Sequence, residues 1–396
     1  ARRIELPELK SACLGGVYAV KGALRYLALD GRGRQAIVVS ADIALYARGS
    51  SGEETQGAGA VAQLLEEEPA LYAVDLEQTG SAAEDRGLDF RKPLVRSPLE
   101  CGADIDPRSL DFPVFNGKYT TVCYIDEVLR AVEDLLQRTG CDARTLYHEI
   151  EGVFMHRPYH RLPRTALAAL YVRGLRGSEE HRRELGEYCA AAGCDLGEVL
   201  GEMSSTPDLL GEMLRGRLEE MVYPQSMKLV RFFRSTARFF EVVERKMQLG
   251  AEAMKELGNL YCAALPAWIA AGLEEARAGR QELAGRTFLT IGYGSGDAAE
   301  AMLIRVAERW REAASRIGFA SALLPAIDLD QEQYALLHAG HPAPGLRHDP
   351  RGRFVVDRVG CRRDDELQDI GIEYYCYVPC SCSPDLAPAG QGYGEE

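Results

Sequence analysis

The sequence predicts a layered α/β protein, and three stretches predict it. Cys13-Leu14-Gly15-Gly16 runs into the apolar segment Val17 to Val20 and reads as a helix start. Gln35 to Ser40 is a short β-branched run of the buried-strand type. Two further strand patterns follow, Thr55 to Leu65 and Leu71 to Leu76, the second with clear alternation. One helix followed by three strands, with a thiol at the helix start, is the pattern of an α/β layer.

The elements follow in order. The first helix carries on through Leu24 and Leu27 to a turn at Asp30-Gly31. Residues 77–117 read as irregular. A helix is predicted from about Thr121 to Arg138, with Val122, Ile125, Leu129, Val132 and Leu136 on one face and Gly140 as its stop. Pro158 and Pro163 keep the start of the next segment out of a helix. The region from about Thr165 to Lys255 is predominantly helical in pattern. Gly258-Asn259-Leu260-Tyr261 breaks it, and Cys262 to Ala276 resumes a helix. Thr287 to Ile291 is a strand that ends in the glycine loop Gly292-Tyr293-Gly294-Ser295-Gly296. Phe354 to Val359 and Glu373 to Val378 read as a late antiparallel pair. The tail from Ser383 is rich in Pro and Gly and reads as disordered.

Composition narrows the function. A formal net charge of −14 argues against general nucleic-acid binding, although a local basic mouth can still hold an anion. No apolar run is long enough to span a bilayer, and no signal peptide is visible. Eleven cysteines, mostly scattered singly, suit a reducing cytoplasm better than a disulfide framework. Cys376-x3-Cys380-x-Cys382 lacks a nearby histidine and a standard zinc spacing, so no metal is expected. The three histidines between His338 and His348 lie among prolines and glycines and read as a loop.

Four groups are candidates for chemistry. Cys13 at a helix N-terminus is placed where backbone N–H groups and the macrodipole favour the nucleophilic thiolate, although a cysteine beside glycines is also a common packing residue. His156, in a proline-fixed turn with Arg157, Arg161 and Arg164 after it, could polarise a carbonyl while arginines grip phosphate; a structural histidine beside a solvated basic face is the plainer reading. Asn259 could donate from its amide to a substrate carbonyl, or cap a helix. The glycine loop through Ser295 could turn N–H groups toward an oxyanion, or serve as a tight turn; it matches neither the dinucleotide fingerprint nor the P-loop.

Taken in order, these pieces resemble the hydroxymethylglutaryl-CoA synthases, a branch of the thiolase-fold condensing enzymes. Ala12-Cys13-Leu14-Gly15-Gly16 is similar to the family's Asn-Ala-Cys-Tyr-Gly-Gly, and Val38 to Ala47 to its Val-Val-Ala-Gly-Asp-Ile-Ala-Val-Tyr-Ala. Thr55 to Ala60, Asp89 to Pro93, Phe112 to Lys118 and His156 to Leu162 each resemble a family motif. Gly258-Asn259-Leu260-Tyr261 departs from Gly-Asn-Met-Tyr only at Leu260, and Tyr293 to Gly296 matches Tyr-Gly-Ser-Gly. His156 and Asn259 stand 103 positions apart. That is much farther than in the initiating ketoacyl-carrier-protein synthases, which also use Cys, His and Asn.

The resemblance implies a duplicated thiolase-like fold with a first half at 1–110, a second half with a helical insertion at 111–382, and a tail at 383–396. It implies that Cys13 takes an acetyl group from acetyl-CoA, its oxygen held by the N–H groups of Cys13 and Ser295. His156 and Asn259 would position the ketone of acetoacetyl-CoA, and water would release the product. Asp42 and Asp89 would support the acid/base network. Thr55, Pro158, Tyr159, Tyr293 and Gly294 would line the substrate, and Arg161 and Arg164 would hold CoA phosphates. No cofactor beyond the CoA thioesters is implied, and the assembly would be a cytoplasmic homodimer feeding isoprenoid synthesis. Two alternatives stand beside this: a polyketide β-branching synthase whose acceptor rides on an acyl carrier protein, and a non-catalytic thiolase-fold partner subunit.

The sequence also departs from the family. The family's general acid/base is a glutamate well upstream of the cysteine. Only twelve residues precede Cys13, and Glu5 and Glu8 stand too close to replace it. The expectation is a truncated first half, weighed against a genuine short form, with a bare sheet edge and apolar face beside Cys13. Leu14 for an aromatic residue and Gln56 for a glycine bear on which acyl group fits.

Overall fold

The computed structural model describes residues 4–91, 112–217, 223–347, 349–362 and 368–380. The chain forms two compact units, Ala1–Leu324 and Pro325–Glu396. The expected boundary at residue 110, the residues Lys92 and Pro93, His348, Cys382 and the expected tail all lie outside the described residues.

In the first unit, helix α1 (Gly15–Ala28) buries Gly15, Gly16, Val17, Lys21 and Leu27. Strands β1 (Ala36–Ala44) and β2 (Gly57–Leu65) pair antiparallel in unbroken register, from Ala36 opposite Leu65 to Ala44 opposite Gly57. Their alternation turns Val38, Ser40 and Ala44 inward, while Ile37, Val39, Ile43 and Leu64 are more than half exposed. Among the described residues this ribbon has no third strand. The outer face of the ribbon is thus apolar and exposed.

Strand β3 (Tyr72–Ala83) is longer than its pattern suggested and corrects the irregular reading of residues 77–83. It does not extend the β1–β2 ribbon. It pairs antiparallel with β6 (Ala298–Val306), in a four-stranded sheet of order β3-β6-β5-β4. Strand β4 (Gly152–Met155) runs parallel to β5 (Thr287–Gly294), with Gly152 opposite Phe288 and Met155 opposite Ile291. Both are buried nearly throughout, which explains why β4 has no alternation to read. Gly292, Tyr293 and Gly294 belong to β5, so the expected glycine loop shortens to a turn at 295–297 before β6.

Helix α2 (Gly117–Thr139) packs over β3 and β6 and ends at Gly140 in the left-handed conformation (φ 65°). Short α3 (Ala143–Glu149) is capped by Asp142, whose side chain accepts from the N–H groups of Arg144 and Thr145. Helices α4 (Arg161–Gly174), α5 (Glu179–Ala192), α6 (Leu196–Ser204), α7 (Leu209–Leu214) and α8 (Pro224–Phe233) fill the predicted helical region. Helix α9 (Ala264–Ala278) follows the break at Gly258. No helix among the described residues is long and apolar enough to cross a membrane. The second unit holds the predicted pair, β7 (Arg353–Val359) and β8 (Glu373–Val378), antiparallel with Arg353 opposite Val378.

The main core runs from α1 across the four-stranded sheet to α2, α4 and α9. One polar contact crosses it. Lys21 of α1 donates to Glu300 of β6 at 2.5 Å, both side chains 4% exposed, and Ser81 of β3 donates to the same carboxylate at 2.9 Å. Removing one partner leaves a buried charge unanswered. Lys21→Met is expected to cost about 3–5 kcal/mol in urea unfolding, and adding Glu300→Leu to recover most of it. An unchanged midpoint in Lys21→Met would show that the pair does not hold α1 in place.

Candidate active site

Cys13 lies two residues before α1, on a turn in which Leu14 N–H donates to Ser11 O (3.0 Å) and Gly15 N–H to Ala12 O (3.2 Å). Ala12 adopts φ 45°, a strained conformation for a residue with a Cβ. The turn is pressed against the end of β5. A Cβ on Gly294 would lie 2.7 Å from Ser11 O and 2.8 Å from Leu14 N, so only glycine fits there. On the other side, a Cβ on Gly16 would lie 2.6 Å from both Ser40 Oγ and Cys262 O. These approaches place Ser295, next after Gly294, beside the Cys13 segment.

The electrostatics correct the expectation of a resting thiolate. Burial pushes the Cys13 thiol well above the usual range, and the charges of Asp42, Cys262 and Asp89 push the same way. The cysteine's own backbone N–H works in the opposite direction and is outweighed. Asp42 projects from β1 toward Cys13 and Cys262, and Asp89 approaches from the segment after β3.

Aromatic rings pack around the thiol. Cys13, Phe90 and Phe115 pack against the buried cluster of Ala44, Tyr46 and Tyr261. Phe90 stacks on Phe115 at 5.9 Å and meets Tyr46 at 6.1 Å and Tyr261 at 5.7 Å, edge to face. Tyr46 hydroxyl is a hub that meets the hydroxyls of Tyr261 and Thr55 and accepts from Asn259 Nδ2 at 3.3 Å. Asn259 is 2% exposed. Its backbone N–H donates to Thr55 O (2.8 Å), and its Oδ1 accepts from Tyr261 N–H (2.9 Å). The amide is thus fixed in orientation with one N–H left over. Thr55 acts here as part of the frame around Asn259.

His156 comes to the same place by another route. It follows β4, and its N–H donates to Ile291 O of β5 at 2.8 Å. Tyr124 of α2 donates to His156 O at 2.6 Å. Its ring stacks toward Tyr293 (6.5 Å between centroids), which meets Tyr124 at 4.9 Å. Tyr124 in turn faces Cys13 and Tyr159. The imidazole is 1% exposed, and neither nitrogen meets a protein partner. Burial pushes it down to about 3, so it is neutral at physiological pH.

The remaining predicted residues form the approach rather than the centre. Pro158 is half-buried and Tyr159 is 41% exposed. Arg161 is exposed at the start of α4. Arg164 departs from expectation: it is half-buried and ion-paired with Glu244, with Arg161 and Arg234 facing it. Its charge is largely answered within the protein, which leaves Arg161 as the open cation of the two.

Sequence reasoning did not assign roles to Tyr46, Tyr124, Tyr261 or Cys262. Tyr46 and Tyr261 sit inside motifs that carry the resemblance, and that position was the available signal. Tyr124 is one apolar residue among many on α2 and gives none. A buried polar cluster was also missed. Arg86, fully buried, contacts Asp126 (2.5 Å), Glu84 (2.9 Å), Glu127 (3.1 Å) and Asp297 (3.4 Å). Arg130 adds contacts to Glu84 and Asp126 at 3.0 Å.

The chain is similar to known proteins over most of its length. The family profile described as Hydroxymethylglutaryl-coenzyme A synthase N terminal matches residues 3–69. The hydroxymethylglutaryl-CoA synthase of Haloferax volcanii is 27% identical over 336 residues, 84% of this chain and 66% of that enzyme. The cytoplasmic hydroxymethylglutaryl-CoA synthase of Rattus norvegicus is 24% identical over 314 residues, 77% of this chain and 52% of that enzyme. The chain therefore spans between about half and about two thirds of these curated relatives. The solved structure of MvaS in complex with 3-hydroxy-3-methylglutaryl coenzyme A superposes with a TM-score of 0.68 at 22% identity, over 96% of this chain and 75% of that one. The thiolase-like fold is shared.

Two outcomes follow from the electrostatics. At pH 7.5 iodoacetamide should alkylate Cys13 more slowly than exposed Cys361 and Cys380, as read by peptide mass spectrometry; a faster Cys13 would contradict its protonated resting state. Between about 3 and 6.5 the unfolded chain binds a proton at His156 that the folded chain does not, so this residue makes stability fall as pH drops through that window. His156→Gln should lose less stability between pH 7 and pH 5 than the parent, measured by urea unfolding.

Proposed function

We propose that this chain is a member of the hydroxymethylglutaryl-CoA synthase family that condenses acetyl-CoA with acetoacetyl-CoA through an acetyl thioester on Cys13. The observation that carries the reading is the convergence of Cys13, Asn259 and His156, from three distant parts of the chain, through the shared rings of Tyr46, Tyr261, Tyr124 and Tyr293.

The chemistry begins as an exchange. The Cys13 sulfur attacks the acetyl carbonyl, the bond to CoA sulfur breaks, and the thiol proton leaves on CoA. Because the exchange is neutral overall, a protonated thiol in a dry pocket is a workable starting point. The developing oxyanion is met by the N–H groups of Cys13 and Ser295. A base takes a proton from the acetyl methyl, and the carbanion equivalent attacks the ketone of acetoacetyl-CoA. Neutral His156 and the remaining N–H of Asn259 hold that ketone oxygen as it becomes an alkoxide. Water then cleaves the thioester and frees the product.

Arg161 is the residue placed to meet a CoA phosphate at the mouth. The same cation would serve the phosphopantetheine arm of a carrier protein, so the acceptor's carrier is settled by assay. The reading includes a cytoplasmic homodimer that supplies isoprenoid synthesis.

Incubation with labelled acetyl-CoA tests the proposal. Cys13→Ala should abolish acetyl transfer to protein. His156→Ala and Asn259→Ala should still acetylate but condense about 10²–10³-fold more slowly with acetoacetyl-CoA. Absence of label on Cys13 in the parent chain would overturn the reading and favour a non-catalytic subunit.

A further inference from the structure

Directly behind the site, two carboxyl groups face each other, and among the described residues the one cation in contact with either is Arg86, at 3.4 Å from Asp297. Asp89 is 1% exposed. Its Oδ2 accepts from Tyr293 hydroxyl at 3.0 Å, while its Oδ1 is buried and meets no N–H or O–H donor. What lies within hydrogen-bonding reach of Asp89 is the carboxyl of Asp297, whose side chain is fully buried. Asp297 ends the turn after β5. Its Oδ1 accepts from Gly296 N–H, and its backbone is held by Glu84 in both directions, N–H to Glu84 O at 2.7 Å and O from Glu84 N–H at 3.1 Å. The turn that carries Ser295 is therefore fastened to the segment that carries Asp89. Arg86 N–H donates to Gly296 O (3.0 Å), and Asp89 N–H donates to Arg86 O (2.9 Å).

Among the described residues the neighbouring charges answer the pair only in part. Arg86 reaches Asp297 only at 3.4 Å and spends its shorter contacts on Asp126, Glu84 and Glu127. Arg130 is committed to Glu84 and Asp126. Two guanidiniums thus stand among the five carboxyl groups of Glu84, Asp89, Asp126, Glu127 and Asp297. Tyr119, Cys123 and Tyr293, the other titratable groups facing the pair, are all pushed upward by burial and bring no positive charge. Two carboxylates in contact in a dry interior do not both ionise, so one proton is shared. That proton supplies the donor that Asp89 Oδ1 lacks.

We propose that Asp297 is a positioning residue: it holds the proton it shares with Asp89, keeps the pair at a single negative charge, and so limits the negative field at Cys13. The proposal rests on the functional reading only in giving Cys13 its purpose; the pairing itself stands on the geometry. Burial and the charge of Asp89 push Asp297 up to about 8. As pH rises through that point the pair gains a second negative charge, next to a thiol that Asp89 already disfavours from ionising.

The test uses the whole chain and two readouts that need no CoA substrate. Infrared spectra titrated from pH 6 to pH 10 should show the C=O stretch of an undissociated buried carboxylic acid, fading near pH 8 and missing in Asp297→Asn. In that variant the amide donates to Asp89 Oδ1 and cannot lose its charge state. Alkylation of Cys13 by iodoacetamide should therefore become faster in Asp297→Asn than in the parent as pH rises, by roughly three- to tenfold at pH 9.5. Asp89→Asn, which removes the other half of the pair, should also abolish the titrating band, and serves if Asp297→Asn does not fold. Buried Glu127, pushed up to about 7, gives a separate band that fades lower and is common to all three proteins; a band fading near pH 8 that survives in both variants, or no such band in the parent, overturns the shared proton. Parallel alkylation profiles in parent and variant overturn the effect on Cys13. Failure to acetylate Cys13, by contrast, counts against the functional reading alone.

Discussion

The site depends on one steric constraint, the contact between the backbone of Ser11 to Leu14 and the end of β5. A side chain on Gly294 would push these segments apart, and a side chain on Gly16 would lift α1 from β1 and from Cys262. With both positions bare, the nucleophile's turn and the turn carrying Ser295 share one surface. The parallel pairing of β4 with β5 then delivers His156 to the same edge, because Met155 stands opposite Ile291 and the chain leaves the sheet there. Asn259 arrives through Thr55 and Tyr46, at the far end of the β1–β2 ribbon. Three chemical groups are thus located by backbone contacts, and packing refines their angles.

Dryness sets the electrostatic character of the place. Burial is the largest influence that keeps the cysteine a thiol, and it makes the histidine neutral. Both states suit the proposed acyl exchange, which begins and ends uncharged, and the dry surroundings strengthen any hydrogen bond offered to a developing oxyanion. The cost appears one layer further out, where Arg86 and Arg130 gather acidic groups that outnumber them. Cys13 and His156 themselves carry no standing charge, and most of the buried charge is gathered behind them.

Much of this was legible in the sequence, and the limits have physical causes. α1, β1, β2, α2 and the β7–β8 pair carry their own periodicity and turn residues, so local reasoning finds them. β4 is four residues long and buried on both faces, which leaves no pattern. β6 begins Ala-Ala-Glu-Ala-Met, a helix-favouring composition that becomes a strand because β3 and β5 flank it. The allegiance of β3 to that sheet, and not to β1 and β2, is a long-range fact that no window contains. In the site, Cys13, His156 and Asn259 stood out by residue type beside glycine or proline. The tyrosines that join them did not, since a lone aromatic residue says nothing of what its hydroxyl will meet. Asp297 was hidden by its setting, directly after a glycine turn where an acidic residue is unremarkable. The reading of Cys13 as a thiolate failed because the dipole argument is local, whereas desolvation is a property of the assembled fold.

His156 is held by stacking and by its own main chain, while its ring nitrogens make no bond to protein. The imidazole therefore has no enforced tautomer. In the proposed reaction either nitrogen can be the one that carries the proton offered to the ketone oxygen, with no protein hydrogen bond broken to present it.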